Sequence, residues 1–156
     1  MILHSKNFPY VSKDKRILKN LVTLGLGANI SHPVRTLNAL FLKLKQNKNL
    51  LIHSTSFIYK NKAFGVTNQP DFYNTTLIFS TNLTLRSVFS LIFYLERFFK
   101  RPRIRPYKNA PRTLDIDLLL FNNLRLKLPH LTLPHAGLLS RKSVLVPLYA
   151  QLGRKQ

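Results

Sequence analysis

Acidic residues are so scarce in this chain that the few present carry information. Asp14, Asp71, Glu96, Asp115 and Asp117 stand against 25 lysines and arginines, for a formal net charge of +20. Two of the five sit at i and i+2 in PRTLDIDLLLF, residues 111–121. The run from Thr113 to Phe121 reads as a strand, where side chains at i and i+2 point to one face. Asp115 and Asp117 then form a two-carboxylate platform, with Ile116 and Leu118 turned to the core. Such a platform offers Mg2+ its preferred oxygen donors, with substrate phosphates completing the octahedron. An Asp-x-Asp pair on a solvent-facing strand is common and is weak by itself. Arg112, three residues before Asp115, and the preceding loop with Arg101, Arg103, Arg105 and Lys108 sharpen it.

Guanidinium groups grip phosphate oxygens through two parallel hydrogen bonds. Beside metal-binding carboxylates they would stabilise charge on a transferring phosphoryl group. The competing reading is an RNA-binding loop. Carboxylates directly after such a loop would repel phosphates unless a cation lay between them, so the combination favours nucleotide chemistry.

Two further segments carry candidates. In residues 128–148, LPHLTLPHAGLLSRKSVLVPL, His135 and Arg141 on one loop could meet triphosphate oxygens, although a lone histidine is as readily structural. In residues 64–74, FGVTNQPDFYN, Phe72 and Asn74 alternate onto one strand face, where a ring and an amide could read a flat heterocycle. A core aromatic beside a capping Asn would produce the same pattern.

The elements that must hold these residues follow from periodicity and punctuation. Asn20–Ile30 reads as a buried strand running into a glycine turn; Ser31 is the expected N-cap and Pro33 suits a first helical turn. Val34, Leu37, Leu40, Phe41 and Leu44 recur at helical spacing, which predicts a helix to about Gln46. Leu50–Tyr59 and Phe72–Ser80 read as paired strands. Thr84 caps a second helix with Leu85, Val88, Phe89, Ile92 and Leu95 on its buried face, and Pro102 is expected to end it. After the strand of Asp115 come a short strand near Arg125–Leu128 and an amphipathic segment around Ser143–Leu152. The order β-α-β-β-α-β plus a tail predicts an α+β fold: a ferredoxin-like sandwich with helices packed on an antiparallel sheet. Residues 1–19, polar and basic, read as an extension before a single domain of residues 20–156.

The composition excludes several classes. Without cysteine there is no disulfide framework, thiolate metal site or cysteine nucleophile. The first 20 residues do not read as a secretory signal, and no apolar run approaches the roughly 18 residues of a membrane span. A cytoplasmic protein is expected. The basic residues are spread along the chain rather than gathered in a stripe, so nucleic acid is not the expected partner despite the charge.

Taken together, GLGANI, SFIYKNKAFGVTNQPDFYNTTLIF, Glu96 followed by RPRIR, APRTLDIDLLLF and LPHAGLLSR…VLVPL resemble, in that order, the dihydropterin pyrophosphokinases. The resemblance spans about residues 22–149. It implies transfer of the β,γ-pyrophosphoryl group of ATP to 6-hydroxymethyl-7,8-dihydropterin in folate biosynthesis, by a monomer acting on small molecules. By this resemblance Asp115 and Asp117 bind two Mg2+ ions. Arg101 and Arg112 belong to the catalytic loop that contacts the phosphates, joined by Arg103. His135, Arg141 and the carboxylate of Glu96 lie on the nucleotide side. Phe72 and Asn74 form the pterin platform, with Asn61, Phe64 and Gly65 lining the pocket. Two positions depart from the pattern. Ser143 stands where the family has a second pterin-stacking aromatic, and Asn109 where it tends to carry Trp.

Overall fold

The computed structural model describes residues 1–63, 65, 68–101 and 104–153. In chain order the elements are β1 (Ile2–Leu3), β2 (Tyr10–Val11), β3 (Asn20–Ala28), α1 (Pro33–Gln46), β4 (Leu50–Thr55), β5 (Ile58–Asn61), β6 (Phe72–Thr81), α2 (Leu85–Phe98), β7 (Asp115–Phe121), β8 (Leu126–Leu128), β9 (Leu131–Leu133) and α3 (Lys142–Leu152). The fold is α+β. The strands pair β1–β5–β6–β3–β7, β4 lies against β6 ahead of β5, and β2 pairs with β4. Every pairing is antiparallel.

Opposed residues in an antiparallel pair share a face of the sheet. Leu24 lies between Leu77 and Leu118, and Leu26 between Thr75 and Ile116. That face meets Leu37, Leu40, Phe41 and Leu44 of α1 and Val88, Ile92 and Leu95 of α2 in one buried cluster. Burying each such side chain contributes about 1.5–3 kcal/mol. The opposite face holds Gly27 between Asn74 and Asp115, then Gly25 between Thr76 and Asp117. Helix α3 anchors on this face: Gln151 accepts from Thr76 Oγ1 at 2.5 Å and donates to Ser54 Oγ at 2.8 Å.

Several boundaries differ from expectation. The strand over Leu50–Tyr59 is broken at Ser56, whose Oγ takes a bond from the Thr76 amide (3.0 Å) and meets Thr75 Oγ1 (2.8 Å), so β4 and β5 follow β6 in two pieces. Ser31 does not cap α1. Ser31 and His32 both adopt left-handed conformations (φ 56° and 63°), His32 takes the cap position without a side-chain bond, and Pro33 opens the helix. Thr84 caps α2 as expected, accepting from the Ser87 amide at 3.2 Å. That helix ends at Phe98, with Lys100 left-handed at φ 60°; Pro102 lies outside the described residues. The short strand expected near Arg125 is half of a hairpin whose second strand, β9, is too short to show periodicity.

Residues 1–19 are tied to the sheet. Strands β1 and β2 add to its edge, and Phe8 is wholly buried, edge-on to Phe41 with ring centroids 6.0 Å apart. Among the described residues no helix is long and apolar enough to cross a membrane.

Candidate functional site

Strand β7 places Asp115 and Asp117 on the open face, as their spacing predicts, with side chains 22% and 32% exposed. The glycines of GLGANI explain the space above them. Gly27 lies between Asn74 and Asp115, and a Cβ there would stand 2.9 Å from Asn74 Oδ1 and 3.9 Å from Asp115 Cβ.

The two carboxylates have different surroundings. Asp115 is enclosed by cations: Arg101 Nη1 lies 2.7 Å from its Oδ1, and Arg112 Nη1 donates to its Oδ2 at 2.9 Å. Asp117 is looser, with His135 Nε2 3.8 Å from Oδ1 and Arg141 Nη1 3.9 Å from Oδ2. Burial and then the like charge of Asp115 push the Asp117 carboxyl above its usual range, against the pull of His135 and Arg141. Among the described residues no cluster of three or more His, Cys, Asp or Glu side chains forms a metal cage. An oxygen-only pair suits Mg2+, which takes one or two carboxylates and leaves its other positions to phosphates and water.

The arginines are held from beneath. Arg112 is buried; its amide donates to Asn29 Oδ1 at 2.8 Å, and its carbonyl accepts from the Asn29 amide at 3.1 Å. Asn29 Nδ2 in turn donates to Gln69 Oε1 and the Pro70 carbonyl, and Gln69 Nε2 reaches the Asn109 carbonyl. Asn109 occupies a left-handed conformation (φ 62°), one that Asn tolerates better than most residues. The Arg112 guanidinium carbon lies 5.4 Å from the Phe72 ring centroid, and its buried Nε has no partner within the described protein atoms. Burial lowers the Arg112 pKa, opposed chiefly by Asp115.

Glu96 is not open to a ligand. It is 8% exposed, and its Oε1 accepts from the Ile116 amide at 2.9 Å and from Arg101 Nη1. Burial raises its pKa, and the Ile116 N–H and Arg101 oppose the shift. Glu96 therefore faces β7 and Arg101, and reaches the carboxylate pair through that arginine.

His135 is fixed by its amide to the Leu119 carbonyl (2.9 Å), while its Nδ1 accepts from the Gly137 amide (3.0 Å). That bond leaves the proton of the neutral ring on Nε2, the atom facing Asp117. Gly137 makes room for Arg141, since a Cβ there would lie 2.8 Å from Arg141 Cδ. Phe72 and Asn74 share the face with Asp115, and Asn74 Nδ2 donates to Asn61 Oδ1 at 2.7 Å, leaving its Oδ1 turned toward Gly27. Gly65 is left-handed (φ 85°) with open space around it. Ser143 lies in the first turn of α3. Phe64 and Arg103 lie outside the described residues. The support network of Asn29 and Gln69 escaped sequence reasoning; its one signal was a polar residue, Asn29, two positions after the second glycine of a buried strand.

A family model described as 7,8-dihydro-6-hydroxymethylpterin-pyrophosphokinase matches residues 23–152. A Helicobacter pylori protein named 2-amino-4-hydroxy-6-hydroxymethyldihydropteridine pyrophosphokinase is 47% identical, over 96% of this chain and 92% of its own length. Proteins of the same name from Campylobacter jejuni (40%; 92% of this chain, 90% of theirs) and Haemophilus influenzae (33%; 81% and 78%) are also similar. The match takes in the strands and helices that carry the carboxylates, the arginines and the paired asparagines, and on it the chain belongs to the 7,8-dihydro-6-hydroxymethylpterin-pyrophosphokinase family.

Proposed function

We propose that the protein transfers the β,γ-pyrophosphoryl group of ATP to the hydroxymethyl oxygen of 6-hydroxymethyl-7,8-dihydropterin, a step of folate biosynthesis. The oxygen bonds to the β-phosphorus, the bond from that phosphorus to the α-phosphate bridge breaks, and AMP leaves. The observation that carries this reading is the pair Asp115–Asp117 on one open sheet face, bordered by Arg101 and Arg112 and shared with Phe72 and Asn74.

Asp115 and Asp117 are the residues to hold Mg2+, in two ions. Bound there, magnesium neutralises triphosphate charge and polarises the attacking hydroxyl. The protein's own work is positioning and charge compensation, which phosphoryl transfer mainly requires. Arg101 and Arg112 are already aimed at the carboxylates and exchange part of that contact for phosphate oxygens when ATP binds, a task in which Arg103 joins them. His135, through Nε2–H, and Arg141 bind the triphosphate from the far side of Asp117. Phe72 stacks on the pterin, Asn74 Oδ1 accepts from its N–H groups, Asn61 holds that amide in orientation, and Gly65 with Phe64 lines the pocket. Glu96 supports Arg101. No side chain acts as a covalent nucleophile.

The order β4/β5–β6–β3–β7, with α1 and α2 on the face away from the site, supports reading the α+β fold as a ferredoxin-like split βαβ. All the groups invoked come from one chain, so a monomer suffices, and a cysteine-free ATP-consuming enzyme suits the cytoplasm.

The test is product identity. With ATP, Mg2+ and the hydroxymethyldihydropterin, chromatography is expected to find AMP and the dihydropterin diphosphate in equal amounts. ADP in place of AMP would mean single phosphoryl transfer and would sink the proposal. ATP bound without turnover would point to a chain disabled by the missing aromatic at Ser143.

A further inference from the structure

Residues 1–11 lie outside the matched span of 23–152, yet they reach the strand beside the substrate amides. Strand β5 is four residues long and would otherwise be the sheet's edge at this end. Short edge strands held on one side are among the first to open. Here β1 covers that edge: Ile2 pairs with Tyr59, Leu3 with Ile58, and the Lys60 amide donates to the Met1 carbonyl at 2.8 Å. On its other side Tyr59 opposes Asn74, and the next residue on that face, Asn61, supplies the oxygen that orients Asn74 Nδ2 at 2.7 Å.

The strap is fastened at several further points. Ser5 and Asn7 both donate to Asn38 Oδ1 of α1, Thr55 Oγ1 donates to the Asn7 carbonyl at 2.6 Å, Phe8 fills the core, and β2 pairs with β4. These anchors, downstream of β1, hold its few residues at the edge of β5 at little further entropic cost.

We infer that the N-terminal segment is a positioning element for the pterin side of the site: β1 clamps β5 so that Asn61 holds the amide of Asn74 in its binding orientation. The inference rests on the pterin role proposed for Asn74. A segment that only adds stability would lower the melting temperature without distinguishing the two substrates. A clamp on β5 affects pterin alone, because the nucleotide-side groups lie between α2 and β7, on β7 and on the loop after β9.

The experiment compares KM for pterin and for ATP in three full-length variants and one truncation. Removal of residues 1–4, which spares Phe8 and β2, is expected to raise the pterin KM about fivefold, the value of one amide hydrogen bond. ATP KM should stay unchanged. Leu3→Pro, which removes the one backbone donor of β1 in the hydrogen-bonded pair Leu3–Ile58, moves the same way by a smaller factor and serves if the truncated chain is unstable. Phe8→Ala lowers the melting temperature and leaves the ratio of the two KM values as in the wild type. An unchanged pterin KM in the truncation and in Leu3→Pro, or an equal rise in both KM values, overturns the inference. Asn74→Ala is the separate check: if it leaves the pterin KM unmoved, the substrate-side assignment fails rather than the clamp.

Discussion

Gly27 and Asn74 oppose each other across the β3–β6 ladder so closely that a Cβ at position 27 would lie 2.9 Å from Asn74 Oδ1. The glycine is a spacing requirement of the site, not of a turn. Gly27→Ala forces the Asn74 amide to rotate or the strands to part, and overpacking of this kind costs about 1–3 kcal/mol. Asn74 is only half-buried, so the amide moves first. Pterin affinity, followed by fluorescence titration, is expected to fall about tenfold with the fold retained. Unchanged affinity would show that Asn74 does not read the substrate.

Glu96 makes a different prediction. Its carboxylate is the partner of both the Ile116 amide and Arg101, with side chains of Glu96 and Arg101 only 11% and 16% exposed. Glu96→Ala leaves the buried Ile116 amide without its acceptor and Arg101 with Asp115 as its remaining carboxylate partner, which costs about 1–3 kcal/mol. Glu96→Gln keeps an acceptor for Ile116 and should cost less than half of that. Urea unfolding of the two variants measures the difference; equal and small losses would mean that Glu96 supports nothing.

Stability should also depend on pH through a residue remote from the site. His53 sits in the bulge between Ile52 and Ser54 of β4, with Nε2 2.7 Å from Ser80 Oγ. Burial depresses its pKa below 6.5, more than the Asp14 charge restores. The native protein then binds fewer protons than the unfolded chain, so His53 contributes stability that is complete above 6.5 and lost as pH falls through the depressed native value. The urea midpoint is expected to drop on going from about pH 7.5 to about pH 5, and His53→Gln should flatten that slope. A slope unaltered by the substitution would assign the pH dependence elsewhere.

The parts legible in the sequence are those decided locally. Asp115 and Asp117 share a face because a strand repeats every two residues, and Thr84 caps α2 because its hydroxyl reaches an amide three residues on. The parts that were not legible depend on distant partners. Asn29 bonds to Arg112 across 83 positions, and Glu96 meets Ile116 across 20, so neither role shows in its own neighbourhood. Residues 1–19 read as an extension because two-residue strands carry no period; a single buried aromatic, Phe8, was the trace of their attachment. Ser31 has the residue type of a cap, but the left-handed turn through His32 takes its place.

The most direct test of the carboxylate platform is the rate of AMP release across a Mg2+ titration for the wild type, Asp115→Asn and Asp117→Asn. The account predicts AMP only when pterin and Mg2+ are both present, a rate reduced at least about 100-fold in each variant, and melting temperatures no lower than the wild type for Asp117→Asn, since that change removes a like charge beside Asp115. AMP release at the wild-type rate in both variants, with the same Mg2+ dependence, would contradict it.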